Sequence, residues 1–164
     1  MFLLDSAVVL DLRHAHADGE GAMLAGWAMR RSRQSMFLSA LSLVELENAA
    51  ALAAKQSKAA GAVWRDWIDG QLLPAFESRI LPIDIAIARR RVALSLDQDR
   101  DALLAATALE HGLTFVTYRA TAFRGARLKL IDPSRAAPDA DEEGDRREAT
   151  RASAPWIRNL FIRG

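Results

Sequence analysis

Asp5, Glu45 and Asp101 stand where three separate stretches of the chain turn from strand-like to helix-like composition. In an open parallel sheet the strand ends gather at one crevice, so acids at distant sequence positions can meet there. Like charges held close together repel and raise one another's pKa, so such a group calls for a cation. The matching chemistry is a Mg²⁺ or Mn²⁺ ion held by carboxylate oxygens and retained water, and centres of that kind hydrolyse phosphodiesters. The three acids are therefore candidate catalytic groups and metal ligands. Asp99, two residues before Asp101, is a candidate auxiliary ligand.

Each acid also has a purely structural reading. Asp5 directly follows an apolar run and reads equally well as a ligand or as the cap of the next helix. Ser42-Leu43-Val44-Glu45 fits S-x-x-E, a capping box, which taken alone explains Glu45 better than a metal does. Glu47 falls nearly on the other side of the helix and cannot stand in for it. Asp97, Asp99 and Asp101 are more acids than one helix start needs, which favours a ligand role for Asp101. His14 and His16 lie in a polar stretch and read as solvated. The runs around Arg30, Arg31 and Arg33 and around Arg89, Arg90 and Arg91 read as solvated helix faces that could touch phosphate. No phosphate-loop, dinucleotide or nucleophile-elbow motif is present.

The elements that must position these acids are legible in the apolar pattern. Phe2 to Leu4, Ser35 to Ser39, Ile80 to Ile83, Leu113 to Thr117 and Leu128 to Ile131 read as strands. Helices are expected from Val8 to Leu12, Ala22 to Arg31, Ser42 to Ala60, Val63 to Ser78, Asp84 to Leu94 and Asp101 to His111. Gly61 punctuates the long helical stretch, Pro74 kinks or shortens the one after it, Asp84 is an N-cap, and Gly112 is placed as a left-handed C-terminal residue. Strands alternating with helices point to an α/β fold with a parallel sheet.

Bulk properties narrow the function classes. The chain has 164 residues, 51% of them hydrophobic, which suits one packed domain. There is no cysteine, which excludes disulfides, zinc–thiolate sites and thiol nucleophiles and fits a cytoplasmic location. The opening MFLLDSAVVLDLR meets an acid too early for a signal peptide, and no apolar run is long enough to span a bilayer. A formal net charge of +1 means that any nucleic-acid surface must be a local arginine patch. The folded unit is expected over residues 1–133. Residues 134–154 read as a charged, disordered linker, and residues 155–164 as an amphipathic terminal segment. Six arginines balance six acids after residue 133, so the tail is not a basic arm.

Together the segments resemble a known family. Met1-Phe2-Leu3-Leu4-Asp5-Ser6, Leu38-Ser39-Ala40-Leu41-Ser42-Leu43-Val44-Glu45-Leu46, the run from Asp101 to Leu113, and Phe115-Val116-Thr117 ahead of Phe123 and Leu130-Ile131-Asp132-Pro133 resemble PIN-domain proteins. Within that family they are similar to the VapC-type toxins of bacterial toxin–antitoxin pairs, including the FitB-like and plasmid-stability branches. The resemblance spans residues 1–133. It implies an α/β/α sandwich around a central parallel sheet, Mg²⁺- or Mn²⁺-dependent endoribonuclease activity, a homodimer and a cognate antitoxin. Asp5, Glu45 and Asp101 match the first three acidic positions, and Ser6 and Thr117 match supporting hydroxyl positions. Two departures stand out. Ala7 lacks the polar side chain usual beside the first acid, and Arg119 and Ala122 fill the two places where a fourth acid or amide would stand. A cation there repels a metal, or it holds phosphate, or it neutralises the acids. Arg119, Arg124 and Arg127 are expected at the rim as substrate-binding groups. The rival expectation is a degenerate PIN-fold module that binds RNA or protein without cutting, with Arg119 paired to Asp5 or Asp101.

Overall fold

Phe2, Leu3 and Leu4 form the first strand, β1 (Phe2–Leu4), and all three side chains are buried. A strand with no exposed face belongs in the middle of a covered parallel sheet, and that is where a computed structural model, which describes residues 1–14 and 21–135, places it. β1 pairs in parallel with β2 (Met36–Ser39) on one side and with β4 (Thr114–Val116) on the other; Leu4 stands beside Leu38 and Val116. β3 (Ile80–Leu81) extends the sheet beyond β2, and β5 (Leu130–Ile131) extends it beyond β4. The order is β3-β2-β1-β4-β5, all parallel. Chain connections leave β1 first toward β2 and later cross back to β4, so the strand order reverses beside β1. Crevices form at such reversals, at the carboxyl ends of the strands.

Side-chain alternation along β1 builds the two covering layers. Phe2 and Leu4 enter one core with Val8, Val9 and Leu12 of α1 (Ser6–His14), Leu24 and Trp27 of α2 (Ala22–Met29), Leu46 and Ala50 of α3 (Ala40–Gln56), and Trp67 of α4 (Lys58–Trp67). Leu3 enters the opposite core with Phe115, Phe123 and Leu104, Ala105 and Ala108 of α7 (Asp99–Glu110). After α4, a wide turn over Ile68–Leu72 and the short α5 (Leu73–Ala75) lead to β3; α6 (Ile85–Val92) packs on α7. The architecture is the expected α/β/α sandwich with a central parallel sheet.

Local details follow from single residues. Asp84 caps α6, its Oδ1 accepting from the Ile87 N–H at 2.9 Å. Gly112 ends α7 with φ of 62°. The break in the long helical stretch falls at Ser57, not at Gly61. Ser57 is extended, and its hydroxyl accepts from the Ala60 N–H to cap α4. Gly61 instead lies inside α4, where it permits close approach to α3: a Cβ there would sit 2.6 Å from the Ala54 Cβ. Residues 15–20, including His16, and the expected linker and terminal segment from residue 136 onward lie outside the described residues.

Alanine is ordinarily the better helix former by about 1 kcal/mol. The Ala54 contact reverses that preference here, because overpacking costs about 1–3 kcal/mol. Gly61→Ala is expected to lower stability by about 1 kcal/mol, read as an earlier midpoint in urea unfolding.

Candidate functional site

Asp5 is the last residue to follow β1 and the first to launch α1. Its N–H donates to the Val116 carbonyl at 3.0 Å, continuing the ladder with β4, and its carbonyl accepts from the Val9 N–H at 3.1 Å. The side chain, 2% exposed, therefore points out at the carboxyl end of the sheet beside Thr117, the residue after β4. The Thr117 hydroxyl donates to Asp5 Oδ2 at 2.7 Å and accepts from the Arg119 N–H at 3.1 Å.

Glu45 arrives from α3. The helix is capped by Ser39, whose hydroxyl accepts from the Leu41 N–H, so it starts earlier than the expected box at Ser42. Ser42 is inside the helix, with its buried hydroxyl unpartnered among the described residues. Glu45 lies beyond the first turn and is not a capping residue. It accepts instead from the Ser6 hydroxyl at 2.6 Å. Asp101 comes from the first turn of α7 and is 3% exposed.

What joins the three acids is a side chain, Arg100. Its Nη2 donates to Asp5 Oδ1 at 2.6 Å and to Glu45 Oε2 at 3.0 Å, its Nη1 donates to Asp101 Oδ1 at 2.9 Å, and its Nε donates to Glu45 Oε1. Arg119 Nη2 donates to the remaining Asp101 oxygen, Oδ2, at 2.7 Å. Every carboxylate oxygen of Asp5, Glu45 and Asp101 thus accepts from Arg100, Arg119, Ser6 or Thr117. Burial opposes the charge on Arg100, but its bonds to Glu45, the charge of Asp5 and the bonds to Asp5 and Asp101 outweigh it and raise its pKa above the usual arginine value.

A family model for the PIN domain matches residues 2–125. This chain belongs to the PIN-domain family. The VapC ribonuclease Y4jK of Sinorhizobium fredii is 30% identical over 141 residues, covering 81% of this chain and 97% of that protein. The plasmid stability protein StbB of Pseudomonas syringae pv. tomato is 27% identical over 141 residues, covering 81% of this chain and 98% of its own. The crystal structure of FitAcB from Neisseria gonorrhoeae shares the fold, with a TM-score of 0.74 at 24% identity over 83% of this chain and 100% of that one.

In this PIN domain the structure brings Asp5, Glu45 and Asp101 around one guanidinium, with Ser6 and Thr117 bonded to them. Asp99 does not join them. Two residues along a helix is more than half a turn, so Asp99 faces away from Asp101; its side chain is 82% exposed and pairs with Arg91. Arg119, expected at the rim, is half-exposed and pairs with Asp101. Arg124 and Arg127 are exposed beyond Phe123 and are not among the groups bonded to the three acids. In the other arginine runs, Arg31, Arg90 and Arg91 have structural partners. Arg31 is buried over the Phe2 and Trp27 rings and donates to the Trp27 carbonyl, while Arg90 and Arg91 pair with Glu110 and Asp99.

Arg100 was not anticipated. The signal that could have found it is the sequence Asp99-Arg100-Asp101, a basic residue directly beside the third acid at the start of a helix. Its presence decides how well a metal fits. The donors are hard carboxylate oxygens of the type that bind Mg²⁺ or Mn²⁺. Their arrangement does not suit an ion, because the guanidinium sits on all three carboxylates. Among the described residues no three His, Asp or Glu side chains form a group that could hold a metal. The chemistry of the donor set fits a divalent cation and its present geometry does not.

Two outcomes follow from these contacts. Thr117→Val strips a donor from a buried carboxylate oxygen and should cost about 1–3 kcal/mol in urea unfolding, with Thr117→Ser largely restoring it. Tyr118, the single tyrosine, has its phenol pKa raised by burial, by its hydrogen bond to Asp11 and by the Asp11 and Asp132 charges. The unfolded phenol ionises first, near the usual value of about 10. Stability from this group is therefore full below pH ~10 and is lost as pH rises above it. Tyrosinate absorbance should appear only above the ordinary range, together with unfolding.

Proposed function

We propose that this PIN domain is the ribonuclease toxin of a toxin–antitoxin pair, hydrolysing RNA phosphodiester bonds with Mg²⁺ or Mn²⁺ as cofactor. The observation that carries the reading is the convergence of Asp5, Glu45 and Asp101 at the carboxyl edge of the sheet, where the strand order reverses. Thirty per cent identity to a VapC ribonuclease over most of both chains supports the same activity. In this reading Asp5 and Asp101 are the buried anchors, held in orientation by Thr117 and by the helix start. Glu45, the most exposed of the three carboxylates at 27%, is the one set to meet solvent and substrate. Arg119, Arg124 and Arg127 would carry substrate phosphates. An unpaired RNA segment suits such a crevice, since a splayed strand can enter where a duplex cannot. An RNA substrate places the work in the cytoplasm, and no described helix is long and apolar enough to cross a membrane.

The proposed partners are a cognate antitoxin and a second copy of the chain. Toxin–antitoxin complexes among the structures of the same fold, such as one from Klebsiella pneumoniae with a TM-score of 0.58, support the first. The rival reading, a PIN-fold module that binds RNA or protein without cutting, is favoured by one observation: two arginines already bond to the acids. Labelled RNA and DNA oligonucleotides of identical sequence, incubated with Mn²⁺ or Mg²⁺, separate the readings. Metal-dependent RNA cleavage that disappears in Asp5→Asn is the expected result. Cleavage seen only in Arg119→Asp would support the degenerate reading, and preferential DNA cleavage would overturn the choice of substrate.

A further inference from the structure

We propose that Arg100 is an internal latch that closes the acid crevice, so that a divalent cation binds only when the guanidinium swings out. The inference rests on the functional reading above and adds a regulatory step to it.

The geometry distinguishes Arg100 from Arg119. Arg119 touches one oxygen of one acid from the rim and is 53% exposed. Arg100 is 29% exposed and reaches Asp5, Glu45 and Asp101 at once through Nη2, Nε and Nη1, so its guanidinium lies at a point between the three carboxylates. A guanidinium and a metal cannot share that point, because both need the same lone pairs and their charges repel. Arg100 is also able to leave. It sits in the first turn of α7, its backbone position is fixed by the helix, and only side-chain rotation is needed to carry a partly exposed group into solvent.

Charge makes the exchange balanced. With Arg100 and Arg119 both bonded, the three carboxylates retain one net negative charge. With Arg100 out they retain two, which a single divalent ion cancels. With Arg100 absent and no ion, two acids that are almost fully buried face one another with only hydroxyls and Arg119 to support them, a costly state. The two closed arrangements, latched by Arg100 or filled by a metal, are therefore the stable ones, and each excludes the other. The site then binds with its intrinsic affinity reduced by the fraction of molecules unlatched.

The test is Mn²⁺ binding to the full chain, followed by the loss of the free-ion signal in electron paramagnetic resonance, for the native protein, Arg100→Ala and Arg100→Ala/Asp5→Asn. Arg100→Ala should bind Mn²⁺ roughly tenfold tighter or more, and the double variant should lose that binding. Equal or weaker binding in Arg100→Ala, with Asp5 still required, would overturn the latch and leave the metal-dependent reading standing. No binding in either protein would overturn both. The native protein gives an independent reading should Arg100→Ala fail to fold. The Arg100 Nε–H resonance, assigned by its absence in Arg100→Lys, should be protected from solvent exchange without metal and lose that protection as Mg²⁺ is added. Protection unchanged at saturating Mg²⁺ would overturn the latch.

Discussion

Three carboxylates brought to one edge of a sheet need positive charge among them, and that need shapes the molecule around β1. Asp5 and Asp101 are almost fully buried, so neither can rely on water to disperse its charge. A buried charge left alone costs several kcal/mol, and removing one partner of a buried pair typically costs about 3–5 kcal/mol. Arg100 meets the need by bonding to β1's end, to α3 and to its own helix α7 at once. It thereby ties together elements that belong to both covering layers. Ser6 and Thr117 add neutral donors, and Arg119 closes the outermost oxygen.

The topology explains why the acids meet at all. β1 lies between β2 and β4, and the chain leaves it in opposite directions. The residue after β1 is Asp5, and the residue after its neighbour β4 is Thr117, so their side chains are adjacent although 112 positions separate them. α3 begins directly at the end of β2 and carries Glu45 inward from the same edge. α7 supplies Asp101 from its first turn. The buried run Phe2–Leu4 thus does two jobs. Its alternating side chains build two cores, and its end places the first acid.

Much of this was legible from residue order. The apolar run Phe2–Leu4 ended by Asp5 marked the strand end at the crevice, whereas Glu45 lies inside α3 and Asp101 belongs to a helix that follows α6 and not a strand. Gly112 and Asp84 were readable because their roles depend only on local backbone geometry. What was not legible depended on position in three dimensions. The capping-box pattern at Ser42 and Glu45 was locally sound but lost to Ser39, which stands at the true end of β2 and starts the helix three residues sooner. Gly61 looked like a helix break because glycine often is one; only the packing of α3 on α4 shows it as a contact residue. Asp99 failed on helical phase, which a fixed start for α7 would have revealed. Arg100 escaped because the direction of a long flexible side chain is set by the acids it finds, and two of those are 95 and 55 positions away.

Stability alone is a poor reason for such a cluster. Buried ion pairs can often be replaced by well-packed apolar residues with no loss, or with a gain of about 1–4 kcal/mol. A module that had become a simple scaffold would be better served by such residues than by three acids, two hydroxyls and two arginines. The retained carboxylates make physical sense if their lone pairs are wanted for something that is not always present. A guanidinium satisfies them in the meantime, beside the hydroxyls of Thr117 and Ser6 that bond Asp5 and Glu45.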